Sequence, residues 1–348
     1  MSSVSWQRRC ALWVLWLWCP WGLAACGGDS TGDSTVMSVN PDSAEQQQDS
    51  GMPSVASGGA GKQLIGTFSI TLIDESAING TEAFSSVLGV VRDGPAQERM
   101  GWELADEARG CRLEIPHFPL CDPRCGAGMA CVGDNVCEAE PAAVSVGEVT
   151  IRGAQLASGE SEFSLMQIGP AYQPESGVDI AYPPSAEGAE LTLSATGGDH
   201  GPFDIRTTGI APLQVSSSGD LILAPDQALH VTWEPPSASA NSQITAVVDI
   251  SHHGGIKGRI VCEVDDQTGE LEIDAALVTK LIELGTAGFP IITLNRRSVG
   301  STAIDIGRID FAIEQHRELA LQIPGVTSCL QATDCPEGQS CMPDRRCE

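Results

Sequence analysis

A mainly β fold, an antiparallel β-sandwich with one short helix and two small disulfide-rich modules, is predicted by three features of this 348-residue chain. Apolar residues recur at period two in short runs, clusters of Gly, Pro, Ser and Asp separate the runs, and cysteines gather in two tight groups. Phe68, Ile70 and Leu72 alternate with Ser69 and Thr71; Leu229, Val231 and Trp233 alternate with His230 and Thr232; Ile244, Ala246, Val248 and Ile250 share one face. Each pattern is that of a strand with one side buried. Ile304 and Ile306 are in phase, and Ile309, Phe311 and Ile313 follow on the shifted phase, so a bulge at Gly307 is expected to bring all five to one face. One segment reads as a helix that covers a sheet end or edge. Asp274 is its N-cap, Leu277, Val278, Leu281 and Ile282 form its apolar stripe, and Gly285 stops it. The β region spans 63–326, as one large sandwich or as two smaller ones divided near residue 212.

Thirteen cysteines constrain the rest. Cys121, Cys125, Cys131 and Cys137 belong to a cysteine-rich insert at 111–137, and Cys329, Cys335, Cys341 and Cys347 form a C-terminal module at 327–348. The last two spacings are the same in both clusters, and Cys125-Gly126-Ala127-Gly128-Met129-Ala130-Cys131 is similar to Cys335-Pro336-Glu337-Gly338-Gln339-Ser340-Cys341. Segments of about 20 residues cannot bury a core, so such modules are held by cross-links or metal. Two bridges each is the natural reading, with three connectivities open. A Cys₄ zinc site would show two short Cys pairs around a longer loop, which this even spacing lacks. Cys111 and Cys262, each inside a strand-like run, are expected to bridge to one another. The modules resemble the short cysteine-rich repeats of secreted proteins, including the Dickkopf-type cysteine-rich region.

Residues 1–25 have the zones of a secretory leader: Arg8 and Arg9, an apolar run from Ala11 to Trp18, and small residues before a cleavage point. The run is shorter than the roughly 20 residues that span a bilayer. Leu23-Ala24-Ala25-Cys26 resembles the bacterial lipobox, which implies cleavage before Cys26 and acylation of its sulfur and new amine. Several acyl chains hold a protein on a bilayer effectively permanently. Gly27, where an aspartate would retain a lipobox protein at the inner membrane, implies an outer-membrane address in the cell envelope. Cysteine parity agrees. Cys10 and Cys19 leave with the leader, Cys26 is taken by lipid, and an even set of ten remains for an oxidising compartment. Residues 26–62 are Gly, Ser, Asp, Thr and Gln with almost no large apolar side chain, the composition of a polar tether. Over its whole length, the order of lipobox, tether, insert, Trp233 strand, Cys262, helix and C-terminal module resembles a group of lipoproteins from myxobacteria and their relatives, which implies fold and address but no activity.

The formal net charge is −27, and loss of Arg8 and Arg9 with the leader takes it to −29. Such a surface disfavours nucleic acid and anionic membrane faces. The expected partners are the bilayer, through acylated Cys26, and an envelope or extracellular ligand. Asp265-Asp266-Gln267-Thr268-Gly269-Glu270 lacks the alternating ligands of a calcium loop and reads as a tight turn. The stretch from Ala211 to Pro236 resembles the opening strands of a fibronectin type III module, packed around Trp233.

Catalytic signals are sparse. There is no His-Glu-x-x-His helix, and no motif calls for a cofactor. His252 and His253, followed by Gly254-Gly255, are the only weak candidates for a metal; on a strand they would face opposite ways, in a loop they could converge. Exposed turn histidines are the simpler reading. Asp305 with Asp310, or Glu263 with Asp265, are the conceivable glycosidase pairs, and Trp102 and Trp233 the conceivable sugar platforms. A non-enzymatic binding or structural role in the envelope is therefore the first expectation, and a hydrolase acting on glycans the alternative.

Overall fold

The computed structural model describes residues 62–74, 80–216, 221–237 and 241–348. The leader, Cys26, the tether before Lys62, and Asn79 of the Asn79-Gly80-Thr81 sequon lie outside the described residues. Among the described residues the fold is mainly β, with one α-helix, as the alternation requires.

Two long strands form its axis. β17 (Ile291–Ala303) and β18 (Arg308–Gln322) pair as an antiparallel hairpin from Ile291↔Ala320 to Ala303↔Arg308. At about 3.3 Å per residue, β18 spans about 50 Å. On one flank β1 (Leu64–Ile73) runs parallel to β18, followed outward by β2 (Phe84–Val91), β9 (Ala171–Pro174), β8 (Glu162–Ile168), β7 (Val149–Arg152), β10 (Glu190–Ala195) and β11 (Phe203–Thr208). On the other flank stand β14 (Gln243–Asp249), β15 (Arg259–Asp265), β4 (Cys111–His117) and β3 (Gly101–Ala108). A short β12 (Leu221–Ile222) also pairs parallel with β18, at Leu321 and Gln322. The sheet is thus mixed: two of its pairings are parallel, and the rest antiparallel.

The first flank rolls back on itself until β11 lies over the central hairpin. Gly300 of β17 permits the approach, since a Cβ there would sit 1.8 Å from the Arg206 carbonyl oxygen. Thr207 and Thr208 then share hydrogen bonds with Ser298 at 3.1 and 2.9 Å. The roll encloses an apolar cluster that includes Phe68, Ile70, Tyr172, Leu191, Phe311 and Ile313. A second cluster lies under the other flank, where the β13 (Leu229–Thr232) and β16 (Glu270–Ile273) pair and helix α1 (Ala275–Glu283) pack on β4, β14, β15 and β17. The Asp274 carboxylate accepts from the Ala276 amide at 2.8 Å, Leu277, Val278 and Leu281 are buried, and Gly285 ends the helix at φ +87°.

Gly307 is not a strand bulge. It closes the β17–β18 turn, where the Ile304 amide donates to the Gly307 carbonyl at 2.8 Å. Glycine is required there by proximity, because a Cβ would lie 2.5 Å from Ile65 of β1. The expected convergence is still met: Ile304, Ile309, Phe311 and Ile313 are buried in the first cluster, and Ile306 packs against it.

Between the clusters, the inward face of the hairpin turns polar. Ile313 and Phe311 serve the first cluster, Leu294, Ile292 and Leu321 the second, and the paired Arg296 and Gln315 stand between them. Both are essentially inaccessible to solvent. Arg296 Nε lies 2.8 Å from Asp266 Oδ2, and its Nη2 donates to Asp266 Oδ1 at 2.9 Å and to the Glu234 carbonyl at 2.6 Å. Asp266 also accepts from Ser242 Oγ at 2.5 Å, while its carbonyl accepts from Trp233 Nε1 at 3.1 Å. The segment linking the clusters is fastened here too: Arg296 Nη1 donates to Ala211 O at 3.3 Å, the Leu213 amide donates to Gln315 Oε1, and Arg317 Nε donates to Leu213 O at 3.5 Å.

Removing one member of a buried ion pair strands the other charge and costs about 3–5 kcal/mol. Arg296→Met is therefore expected to lower the urea midpoint steeply, and Arg296→Met with Asp266→Leu to recover much of the loss. A single variant with the parent midpoint would show that the pair contributes nothing.

Candidate functional site

Ten cysteines among the described residues form five disulfides: Cys111–Cys262, Cys121–Cys131, Cys125–Cys137, Cys329–Cys341 and Cys335–Cys347. Cys111 and Cys262 face one another directly across β4 and β15, with Cα atoms 4.1 Å apart, and their side chains lie in the second cluster. The bridge fastens the β3–β4 hairpin to the rest of the sheet.

The two four-cysteine modules share one construction. In each, the first cysteine joins the third and the second joins the fourth. The third and fourth face each other across a small hairpin, formed by β5 (Met129–Gly133) and β6 (Val136–Ala139) in the insert and by the Cys341↔Cys347 bridge in the C-terminal module. Matching positions adopt left-handed backbone: Gly128 and Gly338 before the third cysteine, Asn135 and Arg345 in the hairpin turn. The amide of Met129 donates to Gly126 O at 3.2 Å, and that of Gln339 donates to Pro336 O at 3.0 Å. The similarity between the two sequences is thus a repeat of fold. Among the described residues, no side chain of 118–140 or 327–348 belongs to either apolar cluster. The sulfurs of Cys121, Cys125 and Cys131, and those of Cys329, Cys335 and Cys341, lie close enough to suggest metal sites, but each is consumed by a bridge.

The insert is tied to the sheet by several polar contacts: Arg99 pairs with Glu140, His117 Nε2 lies 3.8 Å from Asp134, and Asp93 exchanges hydrogen bonds with Ala142. The C-terminal module sits elsewhere, beyond the end of β18. There the Gly288 amide donates to Asp344 O at 2.7 Å and Ser328 Oγ donates to Gly288 O at 2.6 Å. At its foot a cleft of about 450 Å³ is lined by Ile222, Pro290, Leu321, Ile323, Pro324 and Val326, with the backbone of Gly325 to Ser328 along one side. The β1 end nearest the sequence-predicted tether lies at the opposite end of β18, where Leu64 pairs with Arg308 and Lys62 donates to Ile304 O.

His252 and His253 do lie in a turn, closed by the Gly254 amide donating to Ser251 O at 2.8 Å. With His253 at φ +61°, the rings come together, centroids 3.9 Å apart and tilted by 53°. Among the described residues no third His, Cys, Asp or Glu joins them as a ligand cluster. The carboxylate pairs are already engaged. Asp305 holds His200 Nδ1 at 3.1 Å, and Asp310 holds Arg308 Nε at 3.0 Å and accepts from Ser301 at 2.7 Å. Glu263 lies 3.8 Å from Arg112, and Asp265 accepts from the Gln267 amide at 3.0 Å. Trp102 carries the Arg259 guanidinium 3.8 Å above its ring, and Trp233 is buried.

A second cleft, of about 350 Å³, has no counterpart in the sequence reading. It is lined by Ala211, Pro212, Pro235, Pro236, Ser237 and Arg296, with Glu187 and Glu234 at its edge. Glu187 accepts from the Ser237 amide at 2.9 Å, and the Arg296 charge is met by Asp266. Segments far apart in sequence meet here, so no local motif marks it.

Two outcomes test these arrangements. A bridge closing a loop of 151 residues restricts the unfolded chain by about 4–5 kcal/mol, so Cys111→Ala with Cys262→Ala is expected to lose stability of that order by urea unfolding. The amides of Leu330 and Gln331 donating to Asp334 hold its carboxyl below the usual carboxylate range. A folded value below the unfolded one means that the stabilisation is complete above the unfolded pKa, about 3.9, and is lost as pH falls through the folded pKa. In an acid titration followed by the Leu330 and Gln331 amide resonances, the midpoint is expected below that of a free aspartate, and Asp334→Asn removes it.

Compared with known proteins, the chain matches no family model and no curated protein.

Proposed function

We propose that the chain is an exported lipoprotein, anchored through acylated Cys26 in the outer membrane of a bacterial envelope, that acts by binding an envelope or extracellular partner. One observation carries the first part. Once Cys10, Cys19 and Cys26 are set apart, every remaining cysteine is engaged in a disulfide, the state expected of a chain that folds in an oxidising compartment. The even set and the lipobox are independent lines of support, since one comes from residues 23–26 and the other from residues 111–347.

The binding role draws support from the far end of β18, where the cleft at the foot of the C-terminal module is lined by aliphatic side chains and backbone. Exposed Ile222 and Leu330 add apolar surface at that end. Such a surface offers contact area rather than proton transfer. A hydrolytic reading is favoured by one feature, the two glutamates, Glu187 and Glu234, among the residues lining the second cleft.

Metabolic labelling with an alkyne fatty acid is expected to tag the parent chain and to fail with Cys26→Ser; an untagged parent would overturn the anchor. For the second part, photocrosslinking from Ile222 and Leu330 in intact envelopes is expected to trap a defined partner. Turnover of wall or extracellular glycans that disappears in Glu187→Gln or Glu234→Gln would replace binding by hydrolysis.

A further inference from the structure

We propose that the C-terminal disulfide module is a hinged cap, which lifts from the sheet as a unit on the Ile323–Thr327 segment and opens the cleft at its foot. Four observations carry this. First, the module shares no core with the sheet: among the described residues, apolar packing against the second cluster stops at Val326. Second, its charges are closed internally. Arg346 pairs with Asp344 at 2.8 Å and with Glu348 at 2.9 Å, Arg345 donates to Leu330 O at 2.9 Å, and among the described residues no ion pair joins 327–348 to the sheet.

Third, the docking contact is close and mostly backbone. Gly254 and Gly288 lie against each other and against Asp344; a Cβ on Gly254 would fall 2.2 Å from the Gly288 nitrogen and 2.7 Å from the Asp344 carbonyl oxygen. The bonds across it are those from Gly288 to Asp344 and from Ser328 to Gly288. Among the described residues these two bonds are the ones that cross the contact, so few polar interactions are lost on separation.

Fourth, the module is braced within itself. Within the module, two disulfides and the Cys329-to-Arg345 and Cys347-to-Thr327 backbone bonds persist during the motion. The hinge contains Gly325 at φ +82° in a turn closed by the Val326 amide on Ile323 O at 3.0 Å. The cleft that opening widens is lined mainly by aliphatic side chains, Ile222, Leu321, Ile323 and Val326 among them.

Hydrogen exchange on the full disulfide-bonded chain tests the cap. The Gly288 amide and the Ile323–Ser328 segment are expected to exchange faster than the β17–β18 amides, by sub-global opening. Ser328→Ala removes one of the two docking bonds and is expected to speed exchange at Gly288 by about tenfold while β17–β18 protection stays unchanged. Exchange at Gly288 with the same opening free energy as β17–β18 would overturn the proposal, because the module would then be part of the cooperative core. A Ser328→Ala chain that loses protection throughout the sheet would overturn it as well.

Discussion

A guanidinium stays charged at any physiological pH, so a buried arginine must be met by fixed partners rather than by loss of a proton. Arg296 imposes that demand at the centre of this fold. Its carboxylate comes from the turn after β15, one carbonyl from the end of the Trp233 strand, and another from the segment joining the two apolar clusters. Three segments distant in sequence are thereby held to one point on the central hairpin. Gln315, its neighbour across the ladder, fixes the Leu213 amide and reaches Tyr182 at 3.1 Å. Burial raises the Tyr182 hydroxyl pKa against the opposing effect of Gln315, which keeps it a neutral group in this polar layer. Purely apolar pairing along the hairpin would merge the clusters without specifying where the connecting segment crosses.

The same logic appears on the outward face of the hairpin. Burial pushes the Glu314 carboxyl upward, but hydrogen bonding and charge from His316, with help from Asn295 and Arg297, more than reverse it, so the net direction is downward. Thr71, Glu314, Arg297 and Gln243 form a polar row across four strands. The two faces thus differ in kind. One is apolar with a single polar belt, and the other is polar throughout its middle.

Period two reveals which side of a strand is buried, and for Phe68–Leu72, Leu229–Trp233 and Ile244–Ile250 that reading was sufficient. It says nothing about which strand lies alongside, or in which direction. The parallel contact of β1 with β18 joins residues more than 240 positions apart and leaves no local trace. Cys111 and Cys262 were legible as a pair because parity and strand context isolated them. The connectivity inside the modules was not, since even spacing permits three solutions and backbone geometry selects one. Asp266 illustrates the harder case. The turn Asp265–Glu270 was correctly placed from its composition, but whether an acidic side chain in a turn points to water or inward depends on a partner thirty residues away. The second cleft was invisible for the same reason, being assembled from four separate segments.

The placement of β1 has a mechanical meaning. The strand lies inside the sheet, flanked by β2 and β18 along most of its length, and the chain before it leaves from its first residue. Tension applied at Lys62 along the strand loads both ladders in shear, so many hydrogen bonds must yield together rather than peel one at a time. A chain held by its leading segment would in this way bear pulling at one of its strongest strands.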